Sequence, residues 1–470
     1  MNKSESSGGR AAMRWSDPFK VRSVWVPPLA FVAILIVVMT LVYFGSVVNP
    51  TGHLRALPVG VVDQDVGASV GGQRVDVGRQ LTAALIGAPA VSSRLALAPS
   101  TLAVAEQRMR LGKQYAVVVV PPDFTSNLLG LAGVGHARSK PTVTLLTNPR
   151  AGTLAVGLAT GVLGPALSRA SGQIGRKLLT MQSAHQLTPA ATVVLADPVT
   201  IATTPFLPLP SHSALGLSAF YISLLATFCG FLGAVIVNTS IDAVLGYTAT
   251  EIGPMWRQRQ PVEISRWQTL LAKWVMAVGL TVVLTGLMLF TAVVILQMNA
   301  PHFLSLWLLC WFAAAVIAVG TLVLFAALGT LGQLVALVVF VYLALASSGG
   351  TVPLDALSGV FRFVANFEPL RQILDGVRAI LYFGARGDAG LNRAWIATGA
   401  GLIFWVALGI LVTTWYDRRH LHRMPPDLMD YVDRAVLAYR AETQQSARVS
   451  PDPSHEPTLT DDDSPDLRTT

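Results

Sequence analysis

From Trp274 to Leu354 the chain carries no Asp, Glu, Lys or Arg. A soluble surface needs charge, so a run of that length belongs in lipid. Apolar stretches recur at 28–48, 214–237, 270–297, 304–328, 331–347 and 396–416, each near the roughly 20 residues that cross about 30 Å of hydrocarbon. The pattern predicts an α-helical polytopic membrane protein with six transmembrane helices, one plus five, and an extracytoplasmic α/β domain inserted between spans one and two. The 331–347 stretch is the shortest and lies between Gly329, Gly332 and the Ser347–Gly350 run, which reads as tilted or partly re-entrant.

The long polar-apolar insert at 49–213 alternates strand and helix spacing. Leu57–Val62, Tyr115–Val120 and Thr142–Leu146 read as buried strands, with Ser93–Leu97 as a short fourth, while Val77–Ile86 and Thr101–Leu111 have helical spacing. That alternation is the mark of a small α/β domain. Helical periodicity returns from Leu154 to His185 and is expected to lead back to the membrane as a stalk, and the Pro-rich 198–210 stretch reads as an irregular approach to the second span. The rest divides into a basic N-terminus (1–27), a five-span domain (214–416) with a loop at 238–269 and a hairpin at 349–395, an amphipathic helix (417–445) and a disordered acidic tail (446–470).

Charge sets the expected orientation. Lys3, Arg10, Arg14, Lys20 and Arg22 precede the first span, which reads as an uncleaved anchor, and Arg418, Arg419 and Arg423 follow the last. By the positive-inside rule both termini and the 238–269 loop, with Arg257, Arg259 and Arg266, are cytoplasmic in a bacterial inner membrane. The 349–395 segment then lies outside, although it holds Arg362, Arg371, Arg378, Arg386 and Arg393; Asp355, Glu368, Asp375 and Asp388 offset most of that charge. The net charge of +8 is that of membrane flanks meeting anionic lipid, and no basic face with aromatic platforms points to nucleic acid.

Chemical motifs are few. No G-x-x-x-x-G-K-[ST] loop is present, so ATP hydrolysis by this chain is not expected, nor is another enzymatic activity. No zinc-spaced Cys/His cluster exists, no cofactor is implied, and Cys229 and Cys310 both fall within spans as small apolar residues. Asp63 and Asp65 directly follow a strand and precede Gly67, which favours a turn over a metal pair. Apart from Lys273 at one end, no span holds an ionisable Asp, Glu, Lys or Arg in its interior, which weighs against a proton-driven pump.

Three groups of residues occur in order: Leu57-Pro-Val-Gly-Val-Val-Asp-Gln-Asp65 with Gly112-Lys-Gln-Tyr-Ala-Val-Val-Val-Val-Pro-Pro-Asp-Phe124; Asp242-Ala-Val-Leu-Gly-Tyr247 with Glu251-Ile-Gly-Pro254 and Arg259-Gln-Pro261; and Ser348-Gly-Gly-Thr-Val-Pro353 with Phe367-Glu-Pro-Leu-Arg371 and Asp375-Gly-Val-Arg378. With the one-plus-five spans, this resembles the type-2 ABC exporter permease superfamily over residues 25–420. Within it, the chain is similar to the YhgE/Pip (phage infection protein) and DUF3533 (nitrosoguanidine-resistance-like) branch.

The resemblance implies a homodimeric permease whose cytoplasmic loop docks on a separate ATP-binding subunit. In this sequence the coupling loop is Thr239–Arg266, with Glu251, Arg257, Arg259 and Glu263 as contacts and Gly253, Pro254 and Pro261 shaping its turn. An ordinary basic loop that obeys the positive-inside rule is the competing reading of the same residues. The resemblance also implies that 349–395 folds as short helices on the outer ends of the spans. There Gly349, Gly350 and Pro353 end span five, Glu368 and Pro369 belong to the hairpin, and Asp375 has Arg371 and Arg378 at helical pairing distance. The expected function is export of an amphipathic or hydrophobic compound, such as a lipid-linked molecule or drug. A non-transporting envelope scaffold, secretion accessory or receptor is one alternative. A proton-coupled resistance pump using Glu368 or Asp375 is another.

Overall fold

A computed structural model describes residues 22–70, 72–132, 139–182, 189–421, 423–424 and 426–448. Most of the basic N-terminus, the end of the stretch read to His185 and the acidic tail from 449 onward lie outside those residues.

Helix α1 (Arg22–Val47) leads into the insert, its apolar part running Val32–Val47. Strands follow at Leu57–Asp63 (β1), Ala68–Val70 (β2), Gln73–Val75 (β3), Leu95–Pro99 (β4), Ala116–Val120 (β5), Thr142–Thr147 (β6) and Thr200–Pro205 (β7). Five of them form one sheet in the order β4-β1-β5-β6-β7. β1 is parallel to β4 and β5, β5 and β6 are antiparallel, and β6 and β7 are parallel. The central strands β1 and β5 are apolar almost throughout because both faces are covered. Helices α2 (Val77–Gly87) and α3 (Leu102–Arg110) make the crossovers, and α2 begins on an Asp76 side-chain cap to the Arg79 amide, 2.9 Å.

Two expectations for the insert are corrected. Helix α4 (Thr153–Gln182) is no stalk: Ala155, Ala159, Leu163 and Leu167 repeat every four residues and bury one stripe in the core of the insert. A second helix, α5 (Pro189–Ala196), turns back along it, with Leu195 buried. The 198–210 stretch is not wholly irregular, because Thr200–Pro205 adds β7 at the sheet edge, where Pro205 removes no donor that a neighbour needs.

Among the described residues, five helices are long and apolar enough to cross a membrane: α6 (Ser218–Val244), α7 (Arg266–Ile295), α8 (Phe303–Leu328), α9 (Thr330–Ser347) and, after a short amphipathic helix α10 (Pro369–Tyr382), α11 (Leu391–Arg418). This is a membrane protein. α8 is the central helix, buried along most of its length and packed on α6, α7 and α11. A small antiparallel hairpin, β8 (Thr250–Ile252) and β9 (Met255–Arg257), projects between α6 and α7, and α12 (Pro426–Arg448) follows α11.

The helices alternate in direction, so the insert, the start of α6, α10 and the start of α11 gather at one end. The β8–β9 hairpin, the start of α7 and the segment after α11 gather at the opposite end. The insert is fastened to its end of the bundle: the Arg55 amide donates to the Asp355 carbonyl (2.8 Å), Arg150 Nη1 to the Tyr382 carbonyl (3.1 Å), and Val352, Ala356 and Leu357 sit in the insert's own core.

Candidate functional site

At the opposite end a buried ion cluster joins three segments. α6 continues past its apolar stretch to Val244, which carries Asp242 inward on its last turn. Asp242 and Lys273 of α7 are 3% and 5% exposed, and Lys273 Nζ donates to Asp242 Oδ1 at 2.6 Å and to Asn238 Oδ1 at 2.7 Å. Arg423, beyond α11, donates from both Nη atoms to the two Asp242 oxygens and lies over the Tyr247 ring, 4.9 Å from its centroid. One carboxylate therefore faces two cations, and the buried acid is fully compensated. A second tie lies alongside. The Arg266 and Trp267 amides at the α7 N-terminus donate to the Asp417 carboxylate (3.1 and 3.3 Å), and Arg266 Nε donates to the Leu421 carbonyl (2.7 Å). A cavity of about 480 Å³ opens between these ties, walled by Leu270, Leu322 and Phe325 and edged by Arg266, Lys273 and Arg423.

The hairpin expected to contact an ATPase stands on this platform. Glu251, Arg257 and Arg259 are exposed and Gly253 (φ +57°) and Pro254 occupy its turn. Among the described residues none of Glu251, Arg257, Arg259 and Glu263 forms an ion pair. The root of the loop is fixed: Tyr247 Oη donates to the Val262 carbonyl (2.9 Å), Gln258 Nε2 to the Gly246 carbonyl (2.9 Å), and Pro261 packs beside Gly246. Burial pushes the Tyr247 hydroxyl above its usual pKa. The sequence grouping thus divides into an exposed tip and a fixed base.

At the insert end the 349–395 residues come together around α10. Glu368 caps it, accepting from the Leu370 and Arg371 amides at 2.9 Å each, with Pro369 in the first turn. Glu368 is 4% exposed, and burial drives its pKa up to about 7 against the opposing pull of those two amides and of Arg371. Arg371 pairs with Asp375 at 3.6 Å. The expected Asp375–Arg378 pair does not form. Arg378 Nη2 instead donates to the carbonyls of Gly349 (3.2 Å) and Gly350 (3.4 Å), where the chain leaves α9 with Gly349 at φ +71° and Pro353 follows. Arg362 likewise bonds the Asp355 and Leu357 carbonyls, and Arg386 pairs with Asp388. These arginines neutralise local carbonyls and acids, which explains how so basic a segment folds against the bundle.

A family model described as "Protein of unknown function (DUF3533)" matches residues 29–401. The chain belongs to the DUF3533 family. The match runs from α1 into α11, so both ends of the bundle and the whole insert lie within it. Among solved structures, a domain of a candidate ABC type-2 transporter from Thermotoga maritima MSB8 matches at 19% identity, over 32% of this chain and 86% of that one, with a TM-score of 0.23. A likeness at that score supports no inference about this chain. No curated protein matches.

For this DUF3533 member, sequence reasoning missed the Asp242–Lys273–Arg423 cluster. Lys273 stood out as an ion at a span end, and Asp242 opened a recognised motif, yet the apolar window closed at residue 237 and left the acid outside it. A lone acid one turn past an apolar helix, with a lone lysine near the start of the next, was the available signal. Asp63 and Asp65 form turns: the Asp65 amide donates to Asp63 Oδ1 (3.0 Å), and Asp65 receives the Gly78 amide (3.0 Å) and the Thr125 hydroxyl.

Proposed function

We propose that this protein is a dimeric inner-membrane permease that exports an amphipathic or hydrophobic compound, driven by a separate ATP-binding subunit. On this reading the opposite end, with both termini, is cytoplasmic and the insert is outside. The chain itself performs no ATP chemistry. The observation that carries the proposal is the pairing of an exposed, charge-bearing β8–β9 tip with a base tied to α6, α7 and the segment after α11. A partner pressing on Glu251 or Arg257 would move helices rather than a slack loop, which is what mechanical coupling needs.

Purification of the tagged protein in mild detergent, with mass spectrometry of what comes with it, tests this. An ATP-binding subunit that is lost from Glu251→Ala/Arg257→Ala supports the proposal. Recovery of only the chain itself, or of envelope proteins held through the insert, sinks it.

A proton-coupled pump is the second reading, favoured by one observation: Glu368 is a carboxyl buried at the insert end of the bundle, and burial pushes its pKa up to about 7. It predicts that Glu368→Gln folds but no longer exports. Normal export by that variant removes it.

A further inference from the structure

Where the insert meets α10 and the start of α11, a second cavity of about 530 Å³ opens. That volume suits a small ligand or the polar head of a larger one. Its charges do not balance. Four cations line it, Lys113 from the insert and Arg371, Arg378 and Arg393 from the bundle, against two acids, Asp375 and Asp388. Asp388 is already engaged by Arg386 from outside the lining, at 3.1 Å. Asp375 holds Arg371 only at 3.6 Å.

The donors are correspondingly underused. Arg371 Nε is buried and has no hydrogen-bond partner. Among the described residues neither Lys113 nor Arg393 reaches a carboxylate at ion-pair distance. Burial lowers the Arg371 pKa; the Asp375 charge opposes that shift, and the nearby Arg393 charge adds to it by a smaller amount. A buried donor without an acceptor and like charges left facing each other both cost free energy that an oxyanion would recover. Leu111, Leu354 and Phe383 add an apolar part to the wall, and Tyr115, Ser348 and Asn392 add neutral polar groups. Arg393 lies in the first turn of α11, so the cavity sits where the spans begin, at the height of lipid head groups.

We infer that this cavity is a binding site for an oxyanion, a phosphate or carboxylate group, held by Arg371, Arg393 and Lys113. Guanidinium groups suit such oxygens because their planar donors can bond two at once. The acceptor belongs either to the head of an amphiphile, with its tail along the bundle, or to a free anion. If the amphiphile is cargo, the site deepens the export proposal by naming its head-group class. Binding itself requires no ATPase, so the two ideas fail separately.

The test uses the purified full-length protein in a neutral detergent, without any partner. Short-chain phosphatidylglycerol, short-chain diacylglycerol (the same tails without the phosphate) and inorganic phosphate are titrated separately, with affinity read by intrinsic fluorescence and native mass spectrometry. Phosphatidylglycerol is expected to bind at least about tenfold more tightly than diacylglycerol. Lys113→Gln/Arg393→Gln is expected to abolish that preference, and Lys113→Arg to keep it. Both side chains are exposed at the rim, so these variants leave the fold intact. Phosphate that competes at millimolar concentration assigns the site to free anions as well. Phosphate that fails to compete assigns it to amphiphiles. Equal binding of the two lipids without phosphate binding, or a preference unchanged in the double variant, overturns the inference.

Discussion

Asp242 and Lys273 meet at 2.6 Å with side chains only 5% and 6% exposed, joining the last turn of α6 to the first turns of α7. Arg423 closes the same carboxylate from a segment 181 residues further along the chain. Three segments at this end of the bundle, α6, α7 and the stretch after α11, therefore meet at one acid. Its consequences are unequal for the partners, because one anion serves two cations.

Asp242→Asn strips the charge from between Lys273 and Arg423 and leaves both without compensation. Loss of one partner from a buried pair costs about 3–5 kcal/mol. Lys273→Met should cost much less, because Arg423 still neutralises Asp242. Thermal unfolding in detergent should rank the two variants in that order. Equal midpoints would mean that the cluster does not hold the helices together.

Glu368 should give the protein a pH-dependent stability. Its folded pKa, about 7, lies above the ordinary carboxylate value of 4.5. A raised acid binds its proton more tightly when folded, so its contribution is fully present below about pH 4.5 and is lost as pH rises through 7. The loss amounts to on the order of 3 kcal/mol. Unfolding midpoints between pH 5 and 8 should fall in the wild type and flatten in Glu368→Gln. An unchanged slope in the variant would assign the dependence to another group.

Arg378→Gln removes the donor that gathers the Gly349 and Gly350 carbonyls. A charged hydrogen bond of this kind is worth about 1.5–3 kcal/mol. Hydrogen exchange over 348–353 should speed up while the insert strands stay protected. Uniform acceleration across the chain would point to global destabilisation instead.

Glu251→Ala and Arg257→Ala should leave stability within about 0.5 kcal/mol of wild type, because both side chains are exposed on the hairpin. A change confined to partner capture then reports on the surface itself. A large drop in the unfolding midpoint would show that the tip is part of the fold.

Glu368 and Asp375 show why pairing resisted prediction. Helical spacing offered Asp375 two arginines, one at four residues and one at three. The nearer along the chain, Arg378, turns to the Gly349 and Gly350 carbonyls, and only Arg371 remains for the acid. Spacing lists the candidates, and the competing acceptor comes from a loop 28 residues upstream. Glu368 stands beside a proline in the sequence, and only the folded α10 brings the Leu370 and Arg371 amides together on its two oxygens.

By itself the sequence determined which segments are apolar enough to enter lipid and which alternate as strands. The apolar stretch read at 304–328 is the helix Phe303–Leu328, and the strands read at 57–62 and 142–146 are β1 and β6. Those properties are local: a run of apolar residues is costly in water wherever it lies, and a period of two or of 3.6 is set by the backbone. Tertiary structure alone decided that α4 folds back over the sheet and that Thr200–Pro205 completes it. It also set one carboxylate at 242 between cations at 273 and 423. Burial of a charge depends on which distant charge arrives beside it, and that is fixed only when the intervening chain has closed.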